Sequence, residues 1–273
     1  MLENIKENEL KIADIFNSAG VIFKNHMRTI IALWLTVVSM GVAMIVGLVT
    51  LSVVISVATG SDIIGVSFAI IVGLLVLGII TTIIPMAITN ITIKELEGGE
   101  IRLGNILPNL STIFKGMITS LVVVLAALPA VIIAILAVFD AERGVWIGLA
   151  QITSLQITLI LGFSILTFYL GIIFTFINNI IVHKGIWGIS ALFESARLVK
   201  GKFFKTLIFL ILTSLFTMFP SWLQNITYQM PQGLGFIMGI IIWILGVVVS
   251  YYTILATSVW YMNRYYTKEV INE

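Results

Sequence analysis

Residues 29–58, TIIALWLTVVSMGVAMIVGLVTLSVVISVA, decide the fold class of this chain. The stretch is 30 residues long and contains no Asp, Glu, Lys or Arg. A hydrocarbon core of about 30 Å requires about 20 apolar residues in a helix. Lipid offers no partner to backbone amides, so such a stretch must be helical. We therefore predict a membrane-spanning helix here.

The same charge-free pattern recurs at residues 63–93, 116–139, 145–182, 206–226 and 234–262. The 273-residue chain is 59% hydrophobic and 10% charged, against about 45–50% and about 25% in soluble domains. These values exclude a soluble enzyme, a nucleic-acid-binding domain and a disordered chain. We predict an all-α polytopic protein, with six transmembrane helices in a single membrane domain over residues 1–273. The run 145–182 is too long for one perpendicular span, so it should tilt, protrude or break.

The basic residues predict the orientation of these spans. All of the 15 except Arg143 lie at the N-terminus, at the C-terminus or in the connections after the second and fourth runs. We therefore expect both termini to be cytoplasmic, in a bacterial cytoplasmic membrane. Residues 1–28 are charged and periodic, unlike a secretory signal peptide.

Three amphipathic segments precede the odd-numbered runs. Apolar residues recur at helical spacing over residues 12–23, 103–114 and 189–199, which is typical of helices in the headgroup plane. A shift of 177 residues also places Phe16 and Ser18 on Phe193 and Ser195. We predict three repeats, each an interfacial helix plus a helical hairpin, at about 9–93, 101–182 and 186–264.

Residues 185–205, GIWGISALFESARLVKGKFFK, carry a family resemblance. The segment resembles the signature loop of the bacterial six-helix family named after the membrane domain of glycerophosphoryl diester phosphodiesterases. The resemblance implies the six-helix fold and little activity, because the phosphodiesterase chemistry of that family belongs to a separate soluble domain. Some relatives lie near transport or peptide-defence functions.

A basic cluster within this segment is the first candidate site. It is interleaved with Trp187, Phe203 and Phe204, a composition typical of a surface that binds anionic lipid. A dock for an ABC-type ATPase or another membrane subunit is the alternative, and nucleic acid is not expected. The cluster comprises Lys184, Arg197, Lys200, Lys202 and Lys205.

Neutral polar residues in the fourth run are the second candidate. They fall on one face of a continuous helix, either as helix-packing contacts or as a polar groove for a peptide or lipid headgroup. Gln156 most favours the groove, because an amide in lipid requires a partner. The set comprises Thr153, Gln156, Ser164, Thr167, Thr175 and Asn178.

Catalytic motifs are absent from the sequence. Only His183 and Glu194 form a plausible acid–base pair, and a sharp turn at Gly185 would have to bring them together. No spacing supplies a metal site, no cofactor is expected, and there is no cysteine. We expect a non-enzyme: a component of a transport or antimicrobial-peptide defence system that binds lipid or peptide or partners an ATPase. The alternatives are an interfacial lipid-modifying enzyme and a structural scaffold.

Overall fold

The computed structural model describes residues 5, 9–140, 145–146, 154–227 and 230–272, and this part of the chain is almost entirely helical. Two-residue strands, β1 (Phe139–Asp140) and β2 (Val145–Trp146), pair antiparallel beyond the end of the fifth helix. The helices in chain order are α1 Ile12–Asn25, α2 Met27–Thr59, α3 Asp62–Glu97, α4 Leu103–Ile106, α5 Leu110–Val138, α6 Ser154–Ile173, α7 Ile177–Lys184, α8 Ile189–Val199, α9 Phe203–Thr227 and α10 Gln232–Asn272.

Within the described residues, five helical segments are long and apolar enough to cross a membrane: Met27–Thr59, Asp62–Glu97, Ile160–Lys184, Phe203–Thr227 and Gly233–Thr267. The chain is therefore a multi-pass membrane protein. The predicted span 116–139 falls within α5 except for Phe139, and Leu110–Leu125 of α5 forms a shorter apolar helix. Most side chains beyond that segment lie outside the described residues, so the count of six spans stays a prediction.

The long fourth run breaks between α6 and α7. The Ser195 hydroxyl of α8 donates to the Ile173 carbonyl at 2.6 Å and accepts from the Phe176 N–H at 3.2 Å. A helix end leaves such backbone groups without intrahelical partners. One buried serine thus satisfies both sides of the break and fixes its position against α8.

The predicted amphipathic helix over residues 103–114 is wrong. The chain forms the single turn α4, becomes extended at Leu107 (φ −64°, ψ 131°), and begins α5 at Leu110. Pro108 accounts for the interruption, since proline lacks an N–H and disfavours helix at the residue before it. Asn109 then accepts a hydrogen bond from the Thr112 N–H at 2.8 Å, which starts α5. The first and third segments form the separate helices α1 and α8, so the middle unit departs from the repeat.

The buried core lies at one end of the bundle, where α2 begins and α3 and α10 end. We call it the basic end, because it holds the basic cluster, and we call the opposite end the far end. Buried apolar side chains concentrate in residues 83–96, 172–199 and 251–262. Toward the far end the helices expose large apolar side chains, such as Val57 (79% exposed) and Ile63 (78% exposed). Such a surface suits lipid contact.

The apolar stripe of α1 and part of that of α8 face the protein, whereas Ile189 and Phe193 of α8 are exposed. Ile15, Ala19 and Ile22 of α1 are fully buried, and α1 packs chiefly on α10. Ala191 and Leu198 of α8 are likewise buried. The amphipathic pattern therefore predicts the two helices. The buried part of each apolar face packs against the ends of other helices, where contact with lipid headgroups was expected.

Candidate functional site

Glu194 forms ion pairs with two members of the basic cluster. Gly185 has φ +68°, a conformation that suits glycine, and the chain reverses there between α7 and α8. Glu194 then accepts hydrogen bonds from Lys184 at 2.9 Å and from Arg197 at 2.8 Å. Burial raises the pKa of Glu194, but these two cations outweigh burial and hold that pKa below its usual value. The carboxyl is therefore ionised at neutral pH.

Glu9 forms ion pairs with two more cations of the cluster. Its carboxylate accepts from Lys202 at 2.6 Å and from Lys205 at 2.8 Å, and these bonds lower the pKa of Glu9 to about 2. Asn263 of α10 holds the same segment, donating to the Ile5 carbonyl at 2.8 Å and accepting from the Leu10 N–H at 3.2 Å. Ile5, Glu9 and Leu10 are thus tied to α9 and α10.

Lys200 is the member of the cluster that lies exposed without an ion pair to any described residue. By contrast, Lys184 and Lys205 also lie over aromatic rings, 4.6 Å from the centroid of Tyr265 and 4.8 Å from that of Trp260. Four of the five cations in the cluster are therefore engaged by two carboxylates, and these contacts stabilise the basic end. Lipid or partner binding by the cluster stays a prediction, with Lys200 the residue best placed for it.

His183 and Glu194 do not share a hydrogen bond among those described. His183 bonds to the Tyr261 hydroxyl at 2.9 Å and to Glu97 at 3.3 Å. The sharp turn at Gly185 does form, but it brings Lys184 onto Glu194 instead. The proposed acid–base pair therefore receives no geometric support.

The polar stripe of the fourth run is divided by the helix break. Ser164 and Thr167 are exposed on α6, whereas Thr175 lies in the break and donates to the Ile172 carbonyl at 2.8 Å. Asn178 is half-buried in α7. Thr153 and the side chain of Gln156 lie outside the described residues. A groove along this stripe stays a prediction, although one continuous helical face does not run through the break.

A buried polar centre beside the stripe was missed by the sequence reasoning. Asn179 is 3% exposed and donates to Ser258 at 2.8 Å and to Thr89 at 3.4 Å, and these two hydroxyls lie 3.2 Å apart. The centre joins α3, α7 and α10. The available signal in the sequence was an asparagine inside an apolar run. It was given little weight because the residue was expected near the headgroup region, where water can satisfy its side chain.

A half-polar groove between α9 and α10 was also missed. Thr217, Ser221 and Gln224 of α9 line it on one helical face, and Ser250 of α10 lies opposite. Thr217 and Ser250 donate to carbonyls of their own helices. Ser221 and Gln224 are exposed and have no hydrogen-bond partner among the described residues. The helical spacing of Thr217, Ser221 and Gln224 was the available signal in the sequence. Only the packing of α10 shows that these side chains face a groove.

The groove comprises two adjoining cavities of about 410 and 570 Å³. Gln224 and Trp243 line both cavities, so they mark the junction. The pair Gly235 and Gly239 serves two purposes here. A Cβ at Gly235 would lie 2.9 Å from the Thr227 carbonyl oxygen, so this glycine lets α9 and α10 approach, whereas Gly239 has open space and lines the groove.

The chain matches no family model, no curated protein and no solved structure at a significant level. The resemblance to the membrane domain of glycerophosphoryl diester phosphodiesterases therefore stays a prediction. Within the described residues, no group of three or more His, Asp or Glu is placed to hold a metal ion.

Proposed function

We propose that this protein is a non-catalytic component of a transport or antimicrobial-peptide defence system in the bacterial cytoplasmic membrane. In this proposal it binds an amphiphilic lipid or peptide in the groove between α9 and α10. The observation that supports it is the exposure of Ser221 and Gln224, without partners among the described residues, on a membrane-spanning helix. An amide or hydroxyl facing lipid is costly unless a ligand or another polar group satisfies it.

The lining indicates the kind of ligand. Among the described residues it combines hydroxyl and amide groups with large apolar side chains and contains no charged residue. Each cavity falls within the range of about 300–1,000 Å³ found for small-molecule sites. A ligand with an uncharged amide, ester or hydroxyl group beside an apolar body would satisfy both parts.

The bias of basic residues supports a cytoplasmic location for the basic end. In that orientation the α9–α10 connection faces the outside of the cell, and the groove extends from the outer part of the bilayer inward as far as Trp34 and Tyr251. This is the side from which an antimicrobial peptide or an exported lipid would meet the protein.

Partnering an ATPase is the second candidate, and one observation favours it. Ile189 and Phe193 are one helical turn apart on α8 and are 61% and 73% exposed at the basic end. An apolar pair on a helix between two spans is a suitable contact for a partner subunit. Pull-down from native membranes, with and without the double replacement Ile189→Ser and Phe193→Ser, tests this. Loss of a stoichiometric ATPase in the variant would support the second candidate.

The lipid-modifying enzyme loses its main support, because His183 and Glu194 bond to other groups. A structural scaffold is the remaining alternative, and the groove experiment separates it from a binding protein.

Photo-crosslinking in living cells tests the groove. A benzophenone amino acid replaces Phe236, which lines the groove, or Phe219, an exposed phenylalanine of α9 outside it. We expect a discrete adduct only from position 236, identified as lipid or peptide by mass spectrometry. The adduct should disappear when Ser221→Val and Gln224→Leu are added. Identical bulk-lipid adducts from both positions would contradict the proposal and favour a scaffold.

A further inference from the structure

Three hydroxyls that line the groove between α9 and α10 can only accept a hydrogen bond from a ligand. Thr217, Thr227 and Ser250 donate to carbonyls of their own helices, at 2.9, 2.7 and 2.8 Å. A hydroxyl has one proton to donate and two lone pairs that accept. Because the proton is used within the helix, each of these oxygens offers a ligand an acceptor alone.

Donors line the same groove. The Gln224 amide both donates and accepts, the Ser221 hydroxyl can do either, and the indoles of Trp34 and Trp243 donate. A ligand that satisfies this lining must therefore present donors and acceptors together. A peptide group carries both, as its N–H and its carbonyl. An ester carries acceptors alone, so the ester-linked part of a phospholipid would leave the three hydroxyl oxygens without a donor.

The polar groups are distributed along the groove. From Thr217 to Thr227 they follow α9 for ten residues, or about 15 Å at about 1.5 Å per residue. Large apolar side chains lie beside them, including Phe236, Ile240 and Ile242. A lipid or glycolipid gathers its polar groups at one end. An extended peptide repeats an amide about every 3.3 Å, so about five residues match this length and carry apolar side chains between their amides.

The charge of the lining limits the ligand further. The described residues of the groove include none that is charged, so neutral amides suit it and a charged chain terminus does not. We propose that the groove binds an extended, uncharged peptide segment through its backbone. Thr217 and Ser250 accept from its N–H groups, and Gln224 donates to one of its carbonyls. This inference rests on the proposed function, because it specifies the ligand of that groove.

A blocked hexapeptide, acetyl-Leu-Ala-Leu-Ala-Leu-Ala-amide, tests the proposal with the purified protein in nanodiscs. Empty nanodiscs give the partitioning background. Two analogues replace N–H groups by ester oxygens, one at the leucine positions and one at the alanine positions. Successive N–H groups of an extended chain point to opposite edges. One analogue should therefore bind about fivefold more weakly than the parent peptide, the value of one neutral hydrogen bond, and the other within about twofold of it. Equal affinities of all three peptides, or no saturable binding of the parent, would overturn the proposal.

Replacements at Thr217 test the accepting hydroxyl. Thr217→Val keeps the shape of the side chain but cannot accept, so it should weaken binding of the parent peptide about fivefold. Thr217→Ser keeps the hydroxyl and should bind like the wild type. The matched control, Ser214→Ala, removes an exposed hydroxyl of α9 outside the groove and should leave binding within about twofold. An equal loss in Thr217→Val and Ser214→Ala would overturn the contact.

Failure of this inference and failure of the proposed function give different results. A discrete phospholipid or glycolipid adduct at position 236, lost with Ser221→Val and Gln224→Leu, would keep the groove as a binding site and overturn its assignment to a peptide. Identical bulk-lipid adducts from positions 236 and 219 would overturn both. A peptide adduct would support both, and its mass distinguishes a short peptide from a segment of a larger protein.

Discussion

Asn179 holds the buried polar centre at the basic end, and Asn179→Ala should lower the free energy of unfolding by about 2 kcal/mol. The replacement removes two hydrogen bonds, to Ser258 at 2.8 Å and to Thr89 at 3.4 Å. Each contributes about 0.6–1.5 kcal/mol, from the membrane-protein average to the soluble-protein upper range. Thr89 and Ser258 remain 3.2 Å apart and satisfy each other, so no buried hydroxyl is left unpaired and the loss stays below about 3 kcal/mol.

Thermal unfolding in detergent measures this loss. For a chain of this size, 1 kcal/mol corresponds to about 2–4 °C in Tm, so we expect a decrease of about 4–8 °C. The control is Asn178→Ala, at the adjacent half-buried asparagine, whose side chain has no hydrogen bond to the described residues. It should change Tm by less than about 2 °C. Equal decreases for both variants would refute the reasoning, as would strict additivity of Asn179→Ala and Ser258→Ala, because contacting residues are expected to couple.

Three further predictions use the same unfolding assay. Glu9→Gln should lower stability at neutral pH by about 1 kcal/mol, as its partly exposed ion pairs are screened by solvent. Because the pKa of Glu9 is lowered from 4.5 to about 2, the difference from wild type should be complete above pH 4.5 and shrink as the pH falls toward 2; a constant difference would contradict it. Gly65→Ala should cost about 1–3 kcal/mol, because its Cβ would lie 2.7 Å from a backbone carbonyl oxygen of α2; Gly47→Ala, with open space around it, is the control and should not destabilise. Ser195→Ala should cost about 2 kcal/mol by freeing two backbone groups at the break between α6 and α7, whereas Ser190→Ala, at an exposed site of α8, should have no measurable effect.

The membrane-spanning helices were predictable because, in lipid, the backbone of an apolar run can satisfy its hydrogen bonds only by forming a helix. A charge-free run must be helical in a bilayer, whatever its neighbours are. The failure of the run 145–182 to form one helix was also within reach, since its length exceeds one span. The position of the break was not, because Ser195 fixes it from another helix.

The segment 103–114 shows a different kind of error. Its apolar spacing is helical, but Pro108 was already visible in the sequence and interrupts the pattern. Proline chemistry acts locally and should have overridden the periodicity. The mistake came from giving hydrophobic spacing more weight than a residue that cannot continue the helix.

The candidate sites were less predictable, because they depend on contacts between distant residues. Counting charges located the basic cluster, but Glu9, which pairs with Lys202 and Lys205, lies 193 and 196 residues earlier in the chain. The groove likewise requires the position of α10 relative to Gln224. Composition predicts which residues are polar, and only packing determines which of them remain available to a ligand.

The hydrogen bonds that Asn263 forms with Ile5 and Leu10 have a consequence for biosynthesis. Leu10 bonds to this residue 253 positions later, so the contact forms only after the last helix has been made. At about 5–20 residues per second, the first residues wait about 13–50 seconds for their partner. During that time Ile15, Ala19 and Ile22 have no α10 to cover them, and the membrane surface is the apolar environment at hand. The amphipathic pattern of α1 therefore allows the nascent chain to bind the bilayer surface before α1 packs on α10 in the finished protein.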